Sequence, residues 1–92
     1  MSRTGKRKDA LQPAVEAIAR GYGWDTVDTS GAGDGFPDVV AYKRSLGFLL
    51  VEVKSGAGKL TQAQKGFQVR HRMPVVVVRS EAEAEQVFGG RG

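Results

Sequence analysis

The chain has no cysteine, a single histidine (His71) and no apolar run near the roughly 18 residues that span a bilayer. The first absence excludes a disulfide framework and a thiolate metal site. The second excludes a histidine-rich cluster. Any bound metal would therefore rest on carboxylate and carbonyl oxygens, a donor set suited to hard ions such as Mg²⁺ or Mn²⁺. The third, with an N-terminus that lacks a hydrophobic signal core, predicts no membrane partner and an intracellular, cytoplasmic protein.

What the chain does have is basic charge. Fourteen Lys and Arg against ten Asp and Glu give a formal net charge of +4. That balance favours a polyanion, nucleic acid being the commonest, although a merely soluble basic domain has the same balance. Ninety-two residues make one domain near the small end of what folds without staples. Residues 1–8, with Arg3, Lys6, Arg7 and Lys8, read as a flexible basic arm whose Arg7 and Lys8 could touch phosphates. Residues 9–88 form the single domain, and 89–92 are a glycine-rich tail.

Leu11, Val15, Ile18 and Ala19 recur at helical spacing, with Asp9 a candidate N-cap and Pro13 in the first turn. Gly21 and Gly23 end that helix, and a short strand at 24–28 and a glycine-rich loop at 29–35 follow. Two strand-like runs, 38–42 and 47–54, are joined closely enough to be a hairpin. The second is nearly all apolar up to Glu52, the pattern of a central strand buried on both faces. Thr61 caps a further helix reaching about Arg70 or His71, and residues 75–78 are a pure β run. Ser80 and Glu83 make a capping box for a last helix over 81–88. The order α-β-β-β-α-β-α predicts an α/β domain, a mixed sheet flanked by helices, with the last strand brought in by a helical crossover.

The second strand ends in Glu52-Val53-Lys54. Alternation puts Glu52 and Lys54 on one face, about 7 Å apart, and Val51 and Val53 on the other. Asp38 begins the preceding strand, so an antiparallel return brings it near the level of Glu52. Two converging carboxylates repel each other unless a cation lies between them. An ion held by Asp38, Glu52 and the Val53 carbonyl could polarise a phosphodiester and acidify a water, and Lys54 could stabilise the developing charge. Taken alone, the Glu-x-Lys triplet is equally an ordinary ion pair at a strand end. The loops at 31–35 and 56–59 lack the context of phosphate cradles, so no nucleotide cofactor is expected. Their glycines supply turns or let the backbone pass close to DNA.

The segments Gly35-Phe36-Pro37-Asp38 and Val51-Glu52-Val53-Lys54 resemble the motif of the PD-(D/E)XK nucleases. The continuation Gly58-Lys59-Leu60-Thr61-Gln62-Ala63-Gln64-Lys65 is similar to the virus-type replication and repair nuclease (VRR-NUC) family, whose small stand-alone members occur in phages and bacteria. The resemblance implies a restriction-endonuclease-like core and Mg²⁺- or Mn²⁺-dependent hydrolysis of phosphodiester bonds in DNA. It implies a catalytic part for Gln64 beside Asp38, Glu52 and Lys54, and brings in Glu16 as a further metal ligand, though a solvent-facing Glu16 is as compatible with the pattern. Lys59 and Lys65 flank the site and are candidates for phosphate contact. The expected activity is a structure-selective or nicking endonuclease of replication, repair or recombination; the alternative is a non-catalytic DNA-binding or assembly module on the same fold. So small a domain is expected to pair as a homodimer, as related Holliday junction resolvases do, through Phe36, Tyr42, Phe67 or the last helix.

Overall fold

A computed structural model describes residues 8–90. Its elements are α1 (Gln12–Gly21), β1 (Asp25–Asp28), β2 (Val39–Lys43), β3 (Gly47–Val53), α2 (Gln62–His71), β4 (Val75–Val78) and α3 (Glu81–Ala84), which runs on into a π-helical turn, Glu85–Gly89. The expected element order holds, and the fold is α/β with a restriction-endonuclease-like core. The arm at residues 1–7, Arg7 included, and the last two tail residues lie outside the described residues.

The four strands lie in the order β1-β2-β3-β4. The first two pairings are antiparallel and β3 with β4 is parallel, so α2 is the crossover that parallel neighbours require. One sheet face packs on α1 and α3. There Val15 and Ala19 meet Val39, Ala41, Val51, Val53 and Val78, with Trp24, Ala84 and Phe88 closing the core. Trp24 packs edge-on to Phe88 at 5.5 Å and donates its indole N–H to the Phe88 carbonyl, which satisfies its polar atom inside the core.

On the opposite face the structure departs from the expected burial of β3. The strand is central, yet only its last three residues are buried, and Phe48 is 73% exposed beside Tyr42, ring centroids 4.8 Å apart. An apolar run specifies a strand but not what covers it; α2 lies over the far end of this face and leaves Phe48 to water.

The helix starts also differ in detail. Thr61 caps α2 as expected. Asp9 is not the cap of α1. It sits one turn earlier, its carboxylate accepting from Leu11 N–H and its carbonyl from Gln12 N–H, both at 2.9 Å. Ser80 Oγ accepts from Glu83 N–H, but the Glu83 carboxylate reaches back to Arg79 N–H, so the reciprocal bond falls one residue early. Gly89 ends the π turn so close to Tyr22 that a Cβ there would lie 2.6 Å from the ring.

Candidate active site

Asp38 stands just before β2, Glu52 is the penultimate residue of β3, and Lys54 follows the strand. The pairing Val39 with Val51, continued by one residue, sets Asp38 opposite Glu52. Both carboxylates are buried, at 4% and 1% exposure. Burying charge costs several kcal/mol unless hydrogen bonds hold it, and here they do. Val53 N–H donates to Asp38 Oδ2 at 2.8 Å, and Gln64 Nε2 donates to Glu52 Oε1 at 3.1 Å.

Gln64 is far from the exposed helix residue that its first-turn position permits. It is 1% exposed, and its amide works in two directions. The amide oxygen accepts from Thr61 N–H at 2.8 Å while Thr61 Oγ1 accepts from Gln64 N–H at 3.1 Å, a reciprocal capping box. The amide nitrogen is thereby aimed at Glu52. Gly35 makes this possible. Its φ is +76°, and a Cβ there would fall 1.9 Å from the Ala63 carbonyl oxygen. Glycine in the Gly-Phe-Pro-Asp loop thus lets the chain press against the first turn of α2.

A cleft of about 330 Å³ opens between the N-terminal segment and the end of β3, walled by Lys8, Asp9, Asp38, Val53, Lys54 and Gln64, with Ala10 and Ser55. Gln64, on its wall, donates to Glu52. Lys54 is half-buried, and its backbone N–H is fixed by the Val78 carbonyl. The loop beyond it is latched by Arg79, whose guanidinium donates to the carbonyls of Gly56 and Gly58.

Asp9, read from sequence only as a cap, is a carboxylate on this cleft. Its Oδ2 accepts from Ser55 N–H and Oγ at 3.1 and 3.2 Å. Partial burial acts to raise its pKa, but the hydrogen bonds from Leu11 and Ser55, with the charge of Lys54, outweigh it and hold the carboxyl below its ordinary value.

Glu16 stands apart from the cleft wall. Its carboxylate accepts from Gln12 Nε2 at 2.9 Å and lies 3.6 Å from Arg20. Gln12, also missed in the sequence, is fully buried and bridges Glu16, Asp28 and the Asp38 carbonyl. A signal for it existed: Gln12 precedes Val15 and Ala19 by three and seven residues, which puts a polar side chain on the buried stripe. Asp28 in turn accepts from Ser30 and Lys8. The Ser30 hydroxyl, Lys8, the Ser30 amide and Gln12 hold its carboxyl well below the usual carboxylate range. Lys8 is therefore both on the cleft and ion-paired to Asp28 at 2.9 Å. Lys59 and Lys65 are exposed and are not among the residues that wall the cleft.

Among the described residues no three His, Cys, Asp or Glu side chains form a ready cage for a metal ion. The donor set still fits a hard divalent ion. Mg²⁺ keeps several waters and is held through one or two carboxylates plus substrate phosphates rather than by an all-protein cage, and Asp38 and Glu52 supply that pair. No helix among the described residues is long and apolar enough to cross a membrane.

A mixed sheet flanked by helices, with Asp38 opposite Glu52 where β2 begins and β3 ends and Lys54 just beyond, is the arrangement expected of the PD-(D/E)XK nuclease superfamily. The family model of the VRR-NUC domain matches residues 2–82, and the chain belongs to that family. No curated protein and no solved structure gave a match. Membership implies a nuclease, a hydrolase with DNA as substrate, in a superfamily that generally uses divalent metals.

Proposed function

We propose that the protein is a Mg²⁺- or Mn²⁺-dependent DNA endonuclease, nicking or structure-selective, acting in replication, repair or recombination in a bacterial or phage-infected cell. The observation that carries this reading is the pair of buried, hydrogen-bonded carboxylates on neighbouring strands, with Lys54 beside them on an open cleft. Asp38, Glu52 and the Val53 carbonyl would hold the ion, which when bound polarises the phosphodiester and lowers the pKa of a water. Glu16 enters through the family resemblance; its bonds to Gln12 and Arg20 favour Asp9, already on the cleft, as the further acid. Gln64 orients Glu52. Lys54 stabilises charge developing on the phosphorane or positions the attacking water. Lys8, and from the sequence Arg7, Lys59 and Lys65, supply phosphate contacts around this centre.

A homodimer is part of the proposal. Val27, Tyr42 and Phe48 leave apolar surface on the sheet face away from the core, and a two-fold pairing there would present two centres to two strands. Phe67, by contrast, is only 3% exposed and is spent inside its own chain.

Supercoiled plasmid and a four-way DNA junction, each incubated with Mg²⁺, Mn²⁺ or EDTA, test the reading. Metal-dependent cleavage is expected, and Lys54→Ala should reduce it by about 10²–10³-fold. Failure of the wild type to cut either DNA with either ion would leave the binding-module alternative; cleavage that survives in Lys54→Ala would refute this centre.

A further inference from the structure

A second depression, of about 600 Å³, lies between the loop that leads into Asp38 and the outer side of α2, walled by Gly33, Asp34, Phe36, Phe67, Arg70 and His71 among others. Its floor is a run of rings. Phe36 meets Phe67 edge-on at 5.3 Å, and His71 tilts against Phe67 at 4.6 Å. Phe67 is buried, Phe36 half-buried and His71 exposed, so the two outer rings are those that a ligand would touch. Arg70 Nη2 donates to the Asp34 carbonyl at 3.3 Å, which orders the guanidinium at the rim.

We propose that this pocket takes an unpaired nucleobase of the DNA strand that occupies the catalytic cleft. The inference rests on the nuclease reading above and adds a substrate feature to it. Three observations choose a base. Flat ring surfaces suit a π-face, and stacking on them tolerates any base. The Asp34 carboxylate at the wall would repel a phosphate but can accept hydrogen bonds from a base's amino and imino groups. Charge supplies the path: residues 53–80 hold Lys54, Lys59, Lys65, Arg70, Arg72 and Arg79 and not one Asp or Glu. All of α2 therefore lies in an uninterrupted cationic stretch. Phe36 precedes Asp38 by two residues and Phe67 follows Gln64 by three. A strand that leaves the cleft along α2 would bring its next bases to the rings, whereas an intact duplex keeps its bases stacked and paired. The pocket therefore favours frayed, flapped or branched DNA.

Fluorescence anisotropy in EDTA, where nothing is cut, tests this. The probes are a duplex with a short unpaired tail, of either polarity, and the same duplex with that tail made abasic. The wild type should bind the base-bearing tail about tenfold more tightly than the abasic one for at least one polarity, as aromatic stacking of a base implies. His71→Ala and Phe36→Leu, the latter keeping apolar bulk, should bring that ratio towards one; if Phe36→Leu does not fold, the exposed His71 carries the test. A wild-type ratio of one for both polarities, or a ratio unmoved by His71→Ala, overturns the proposal. Because no cleavage is measured, a protein that fails to cut can still pass. One that cuts but does not discriminate would lose the base pocket alone.

Discussion

The two ends of β3 reverse the usual rule of burial. At its hairpin end Phe48 is 73% exposed, whereas at its other end Glu52 is 1% exposed. The same face of the same strand carries both, four residues apart. Hydrophobic transfer alone would predict the opposite. The carboxylate end is covered because α2, pressed down through Gly35 and capped by Thr61 and Gln64, brings an amide donor to Glu52. The phenyl end is left bare because no described element crosses it. Stability is thus given up at both ends, at one for a charged centre and at the other for an open surface.

The sharpest way to break this comparison is Glu52→Gln. The neutral amide keeps the shape beside Gln64 and removes a desolvated charge. Plasmid cleavage should fall by about 10³-fold or more while the melting temperature stays at or above that of wild type. A lower melting temperature would show that Glu52 is there for the fold.

Gly35→Ala tests how α2 is seated. With a positive φ and no room before the Ala63 carbonyl, the variant should lose about 3 kcal/mol in urea unfolding. A loss below about 1 kcal/mol would mean that the loop can lift away from the helix.

Phe48→Lys probes the bare end. A solvent-facing substitution should shift stability by no more than about 0.5 kcal/mol, but sedimentation should show a dimer becoming a monomer. Nicking would persist as paired cuts decline. An unchanged sedimentation profile would remove this face from the interface.

The smallest effect concerns acid. Because the folded state holds the Asp28 carboxyl below its ordinary value, its contribution is complete above the unfolded value of about 3.9 and is lost as pH falls through the folded one. Asp28→Asn should be less stable than wild type at neutral pH, with the two unfolding curves converging below about pH 4. Parallel curves at every pH would show that the carboxylate is not what stabilises that corner.

Much of this was legible in the sequence. Helical spacing located α1, the apolar runs and the short link gave the hairpin, and Glu52-Val53-Lys54 at a strand end with Asp38 after Pro37 pointed to the two carboxylates that the pairing of β2 with β3 sets opposite each other. Asp9 and Gln12 were not picked out. A local reading takes aspartate before a helix for a cap, and an amphipathic reading counts apolar residues and passes over the one polar side chain on the stripe. Their roles depend on Ser55, Asp28 and the Asp38 carbonyl, which lie at least sixteen residues away.

The sequence by itself determined the element order, the motif and the family, because period, caps and motif spacing are local properties of the chain. Tertiary structure decided which acid stands on the cleft, that Gln64 covers Glu52, and that Phe48 is bare. Each of these depends on how far one element reaches over another, and that is set by close approaches such as Gly35 against Ala63, which no run of neighbouring residues encodes.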